Sequence, residues 1–290
     1  MRSHQSGRSA PSSRVCLPPL GRPPRRERVG AQYDTPHAPA DYVRAVAGSS
    51  PSSRSVRTRL QLVQDILRGQ PDGDLLDAGC GPGILARALL RNRPGDFSIT
   101  VLDQSAAMIK YCVDNTRDAG TVHATIGQLE ALPFADVSFD VALIMGALEY
   151  ADARTAVREI SRVTRPGGLV VLTMLNPLSL YRLTEWCIYW PTIRIVGAVQ
   201  ESLNLTGFQP HGARISGIRT FSARKLKLLM KWAGLQPVQL IHYDVTPLVP
   251  PLDRLPAMVR KAARTPHERT VARDWRRCMA TAYLVVARRA

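Results

Sequence analysis

Acidic residues are nearly missing from the two ends of this chain of 290 residues. Residues 1–30 hold seven arginines against the single acid Glu27, and from Asp253 onward ten basic residues face only Asp253, Glu268 and Asp274. These ends carry 13 of the 16 excess positive charges, so the middle is close to neutral. A neutral middle argues against nucleic acid as the main partner, while basic ends leave room for peripheral contact with an anionic membrane. The five cysteines are odd in number and scattered, with no C-x-x-C and no Cys/His cluster. That argues against a disulfide framework or structural zinc, leaves no metal site to expect, and fits a reducing cytoplasm. No apolar run reaches the roughly eighteen residues of a spanning helix. The nearest candidate, WCIYWPTI at 186–193, contains a proline. No apolar stretch near the N-terminus reads as a secretory signal; an Arg- and Ser-rich start poor in acids suits a disordered tail or a transit peptide.

What is present is a regular alternation. Residues 1–35 are rich in Pro, Ser, Gly and Arg and read as a disordered basic tail, with one domain over 36–290. SVRTRLQLVQDIL (55–67) spaces Leu60, Val63, Ile66 and Leu67 as a helix does. Then come short apolar strands at 74–79, 97–103, 122–127, 139–145 and 169–175, with helices at 84–92, 105–116 and 152–164 between them. The helix at 105–116 opens on Ser105 as N-cap, and the RPGG at 165–168 breaks the chain before the fifth strand. Unbroken apolar strands alternating with helices predict an α/β fold: a doubly wound, mostly parallel sheet covered on both faces. Residues 176–220 interrupt the rhythm with prolines and aromatics and read as an insertion after strand five. A helix at 222–234 and strands at 236–245 and 279–288 complete seven strands, with a basic insertion at 246–276 between the last two.

The stretch LLDAGCGPG (75–83) ends an apolar strand in Asp77 and then places glycines at every second position. Asp103 follows at the end of the next strand, where a doubly wound sheet lets an acid accept both hydroxyls of a ribose. A nucleoside-bearing ligand fits this pair. The dinucleotide fingerprint G-x-G-x-x-G/A begins at Gly79 and Gly81 but meets Ile84 at its third position; a shifted match, Gly81-Pro-Gly83-Ile-Leu-Ala86, starts late. Asp77 beside the loop would repel a pyrophosphate, so a cationic nucleoside suits it better.

LLDAGCGPG resembles motif I of the class I S-adenosylmethionine-dependent methyltransferases. VLDQSAAMI resembles their second motif, GQLEALPFADVSFDVALIMGALEYADAR resembles their GDAEALPFPDGSFD stretch, and EISRVTRPGGLVVLT resembles the helix and fifth strand that follow. The likeness covers about 55–175 and the closing strands, and it is closest to small-molecule members. It implies a Rossmann-like seven-stranded sheet with an antiparallel last strand, and S-adenosyl-L-methionine as cofactor. By position it implies that Gly79, Cys80 and Gly81 lie against the methionine end, with Asp77 orienting the ammonium, and that Gly83 belongs with them to the cofactor-binding residues. It places Asp103 on the ribose, Gln104 and Met108 beside the adenine, Leu129 on its face, and Met145 and Gly146 near the sulfonium. Gln128 stands where the family usually has Asp; its side-chain oxygen still accepts from an adenine amino group.

Methyl transfer needs alignment of donor and acceptor, and a base only where the acceptor is a poor nucleophile. Candidates for that base or for acceptor contact are Glu149 and Tyr150 after strand four, and His211 in the insertion. Each has a plainer reading: Glu149 and Tyr150 as loop residues before the next helix, His211 as a solvated loop histidine. His242, inside a late strand, reads as structural. The 176–220 insertion reads as a lid over an apolar acceptor, or as aromatics filling their own core or a subunit interface. The expected partner is a small, hydrophobic or aromatic organic acceptor. An RNA methyltransferase and a non-catalytic binder on the same fold remain as alternatives.

Overall fold

The computed structural model describes residues 33–48, 51–193, 195–196, 218–246, 249, 252 and 275–290. His211, the basic tail up to Gln32 and most of the segment expected as a second insertion lie outside the described residues.

In chain order the elements are α1 (Ala38–Ala47), α2 (Pro51–Leu67), β1 (Gly73–Ala78), α3 (Ile84–Asn92), β2 (Phe97–Asp103), α4 (Ala106–Thr116), β3 (His123–Ile126) and β4 (Phe139–Ile144). Then follow α5 (Ala153–Val163), β5 (Thr164–Leu175), α6 (Leu180–Thr184) running into a π-turn at Glu185–Tyr189, α7 (Ala223–Trp232), β6 (Leu235–Val245), a 3-10 turn at Trp275–Met279, and β7 (Ala280–Arg289). The seven strands form one sheet in the order β3-β2-β1-β4-β5-β7-β6. The first five are parallel, and β7 runs antiparallel to both β5 and β6.

Successive side chains of a strand point to opposite faces, and here both faces are apolar. Leu75, Ile99, Val101, Leu143 and Val171 pack under α2, α3 and α4 through Val63, Leu89 and Cys112. Their neighbours Leu76, Leu102, Ile144, Leu172 and Val285 pack under α5 and α7 through Ile160, Leu226 and Met230. The capping residues act where the sequence places them. Ser105 accepts from Met108 N at 3.2 Å, and Asp152 accepts from Thr155 N at 3.0 Å.

Two boundaries differ from the sequence reading. Strand β5 starts at Thr164, before the Pro-Gly segment, because Thr164 pairs with Phe139 ahead of an irregularity that restores register at Val141–Leu169. A Pro-Gly bulge inside a strand looks like a terminator when only composition is read. The packed chain also begins earlier than position 36. Ser105 Oγ bonds the Tyr33 carbonyl and the Asp34 carboxylate, each at 3.0 Å.

The strand order reverses between β1 and its neighbours β2 and β4. The glycine loop leaves β1 at that switch point, where doubly wound sheets open a crevice at the strand C-termini.

Candidate functional site

A cavity of about 640 Å³ opens there, within the range of small-molecule sites. Of the residues expected to touch cofactor, Asp77, Gly79, Cys80, Gly81, Asp103, Gln104, Met108, Gln128, Leu129, Met145 and Gly146 all line it. Gly83 does not. It caps α3 with φ +74°, and a Cβ there would sit 2.4 Å from Cys112 Sγ. Its glycine is required by the close approach of α3 to α4, so its part is in packing rather than in contact with a ligand.

The loop is stitched to the end of β2. Gly79 N and Cys80 N both donate to the Leu102 carbonyl, at 2.6 and 3.0 Å. Asp103 accepts from Gly81 N at 2.9 Å and from Ser105 N at 3.0 Å. Burial raises the Asp103 pKa, and the Ser105 and Gly81 amides pull it back. Gly81 has φ +54°, and a Cβ built on it meets nothing within 4 Å, so the space beside its backbone is open.

Asp77 is 1% exposed, and its Oδ1 has no hydrogen-bond partner. Burial pushes its pKa up to about 7, although Arg59 nearby works in the opposite direction. A buried carboxylate with an orphan oxygen facing a cavity is a position prepared for a cation. A hydrogen bond with the Cys112 thiol, and then burial, push the Cys80 thiol pKa up, away from the thiolate form that attacks.

Glu149 is buried and accepts from Leu175 N at 3.0 Å, bridging the ends of β4 and β5. Burial raises its pKa, with backbone donors and then Arg59 opposing. The Tyr150 hydroxyl lies 3.0 Å from that of Tyr33, with the rings edge-on at 5.6 Å. Burial raises the Tyr150 pKa too, so it stays a neutral phenol. Both residues line the cavity. His242 does not; its ring lies tilted beside that of Tyr283, and burial lowers its pKa. Among the described residues no group of three or more His, Cys, Asp and Glu is arranged to hold a metal ion.

Tyr33, Tyr42 and Arg59, which the sequence reading does not single out, enter the cavity from the N-terminal segments, while Tyr181, Arg182, Glu185 and Trp190 enter from the segment after β5, whose aromatics read from sequence as a lid or as a filled core or interface. Arg59 left a trace: it sits three and four residues before the buried Leu62 and Val63, on their face of α2. An arginine within a buried helical stripe marks an internal charge.

Comparison with known proteins decides what this crevice belongs to. Residues 76–172 match the family model described as "Methyltransferase domain". Residues 76–172 are a methyltransferase domain of the class I S-adenosylmethionine-dependent kind. A malonyl-[acyl-carrier protein] O-methyltransferase of Dechloromonas aromatica is 37% identical over 121 residues, 41% of this chain and 44% of that protein. The ubiquinone/menaquinone biosynthesis C-methyltransferase UbiE of Geotalea daltonii is 28% identical over 182 residues, 61% of this chain and 75% of that protein. The match thus spans less than half of the malonyl-carrier relative. A crystal structure from Thermotoga maritima, described as a SAM-dependent methyltransferase and possible histamine N-methyltransferase, superposes with TM-score 0.55 at 17% identity. It covers 83% of this chain and 91% of that one, and it shares the fold.

S-adenosylmethionine is the cofactor of this methyltransferase domain, and the residues present fit it. Asp77 offers an uncommitted buried carboxylate to a cation, and Gly81 leaves its backbone bare. No helix among the described residues is long and apolar enough to cross a membrane.

Proposed function

We propose that this methyltransferase acts on an O, N or C atom of a small hydrophobic or aromatic acceptor. The observation that carries the reading is the lining of the cavity, in which Asp77, Gly81 and Asp103 stand together with Tyr33, Tyr42, Tyr150, Tyr181, Trp190, Leu60 and Leu175. Aromatic walls favour a flat apolar acceptor. Among the relatives' named substrates, a quinone suits such walls better than a malonyl group carried on a protein. The cavity also holds Asp77, Asp103, Glu130, Glu149, Glu185 and Asp244 against Arg59 and Arg182. An excess of acids repels a polyphosphate chain, which disfavours RNA as acceptor.

When bound, S-adenosylmethionine supplies an electrophilic methyl group. The chain's own residues do the rest. Asp77 takes the ammonium of the methionine end, Asp103 takes the ribose hydroxyls, and Gln104, Met108, Gln128 and Leu129 surround the base. Cys80, Met145 and Gly146 form the wall at the reacting end. Tyr33 and Tyr150 roof the cavity and exclude water. Glu149 accepts the proton of a hydroxyl or acidic carbon, a task suited to a carboxylate whose burial raises its basicity.

The test is transfer of a labelled methyl group by the purified protein to phenols, quinols, amines, fatty acids and RNA. Label is expected in the phenol or quinol fraction, and label confined to RNA overturns the reading. Glu149→Gln is expected to slow turnover by about 10²-fold or more while S-adenosylhomocysteine binding stays within about threefold. Its pH–rate profile is expected to lose the acidic limb that wild type shows as Glu149 deprotonates.

A further inference from the structure

The segment after β5 has two unlike sides. Tyr181, Arg182, Glu185 and Trp190 line the cavity, while Leu178, Leu180, Leu183, Trp186 and Ile188 stand between 44% and 64% exposed. A surface helix normally turns its apolar stripe inward and its polar residues out; here the outward side is the apolar one. Glu185, the one acid between Asn176 and Val196, is buried and paired with Arg182. The outer side of the segment therefore has no carboxylate of its own. The start of the segment is pinned to the turn before β7. Asn176 donates to the carbonyls of Arg277 and Ala280, at 3.2 and 3.0 Å, and accepts from Leu178 N at 3.1 Å. That turn, Trp275–Met279, packs against α6. It adds Trp275, 73% exposed, together with Arg276 and the exposed Arg277. Exposed leucine, isoleucine and tryptophan gathered on one face mark a surface that a partner covers.

We propose that this face docks on an anionic lipid bilayer, and that the cavity takes its acceptor from that bilayer; the second half rests on the hydrophobic-acceptor reading given above. The composition of the face selects the occupant. Leucine and tryptophan beside arginine, with no acid, settle at the headgroup boundary: the apolar side chains reach the acyl region and the indole spans its polar edge. Anionic headgroups draw the arginines. The chain that runs into Trp275 adds to this pull, since residues 253–274 hold six basic residues against Asp253, Glu268 and Asp274. RNA or an acidic protein engages the arginines but leaves the leucines and tryptophans in water. The segment lies on the bilayer and does not cross it. Its helix and π-turn together run from Leu180 to Tyr189, about half the length of a spanning helix. Because the inner side of the same segment lines the cavity, a lipid-soluble acceptor is handed over without passing through bulk water.

The experiment is flotation of the full chain with vesicles of phosphatidylcholine alone and of phosphatidylcholine mixed equally with phosphatidylglycerol. Wild type is expected to float with the mixed vesicles and to bind phosphatidylcholine about tenfold less well. Leu183→Glu and Trp186→Glu, both outside the cavity lining, are each expected to lower partition into mixed vesicles about tenfold or more, with circular dichroism unchanged. Leu228→Glu, at an exposed leucine of α7, is the control and is expected to bind within about twofold of wild type. Binding that Leu183→Glu and Trp186→Glu leave intact overturns the proposal, because the basic residues 1–30 then hold the vesicles. A wild type that ignores vesicles also overturns it, whether the face retains RNA instead or joins two copies in a dimer that Trp186→Glu splits. Methyl transfer separates this proposal from the acceptor reading. A quinol embedded in mixed vesicles is expected to be methylated about tenfold more slowly by Trp186→Glu than by wild type, and a soluble phenol equally by both. If the vesicles are bound as expected and no phenol or quinol is methylated, the acceptor reading and the handover fall while the docking face stands. If the embedded quinol is methylated equally by both proteins, docking falls and the acceptor reading stands.

Discussion

Asp77→Asn is expected to weaken S-adenosylhomocysteine binding by at least about 100-fold and, at the same time, to make the ligand-free protein harder to unfold at pH 8. The two effects share one cause. In the folded chain the Asp77 carboxyl has a pKa of about 7 because burial disfavours its charge, against about 3.9 in an unfolded chain. The folded state therefore holds more protons between these two values, and stability falls as pH rises through that window. The contribution is fully present below about pH 4 and gone above about pH 7, an amount of at most about 4 kcal/mol. Asparagine carries no charge in either state and is spared the loss. A cationic ligand reverses the balance, since the ionised form binds it. Wild-type affinity is thus expected to drop about tenfold for each pH unit below 7 and to level off above it. Calorimetry from pH 5.5 to 8.5, with thermal unfolding of both proteins at pH 5 and pH 8, measures both effects. An Asp77→Asn protein that binds as tightly as its parent refutes the placement of the cation.

Gly81→Val is expected to fold and to lose nucleoside binding by about 100-fold or more. At φ +54° a side chain is strained by about 1–2 kcal/mol, which most domains tolerate. The added Cβ meets no atom within 4 Å, so the new side chain projects into the cavity and fills the space the ligand needs. Gly83→Ala provides the contrast. Two residues away, its Cβ would be driven into Cys112 Sγ at 2.4 Å, so the fold weakens although nothing enters the cavity. Circular dichroism and melting temperature, read beside S-adenosylhomocysteine affinity, separate the two. A well-folded Gly81→Val protein with parental affinity shows that the ligand lies elsewhere.

The parts of this fold written in contiguous residues were legible in the sequence. Phe97–Asp103 and Ile84–Asn92 read directly because their apolar spacing matches one period, and the glycine loop reads because strand, acid and turn lie within nine residues. Thr164 was missed because a strand that crosses Pro166 and Gly167 looks like a break until its pairing with Phe139 is seen. The acceptor wall was hardest. Tyr33 meets Tyr150 across 117 positions, and Arg59 reaches Gly146 from a helix that precedes the sheet. Such neighbours are made by topology and leave no local pattern.

The contact between Tyr33 and Tyr150 also bears on how the chain may be shortened. A start chosen from composition alone, at Pro36, discards the phenol that meets Tyr150 and the carboxylate that accepts from the first turn of α4. The seven-stranded body keeps its own core without them, but the crevice loses part of its covering on that side. Bound nucleoside is then expected to escape sooner, and a shorter residence time in the trimmed protein than in the intact one is the measurement that checks it.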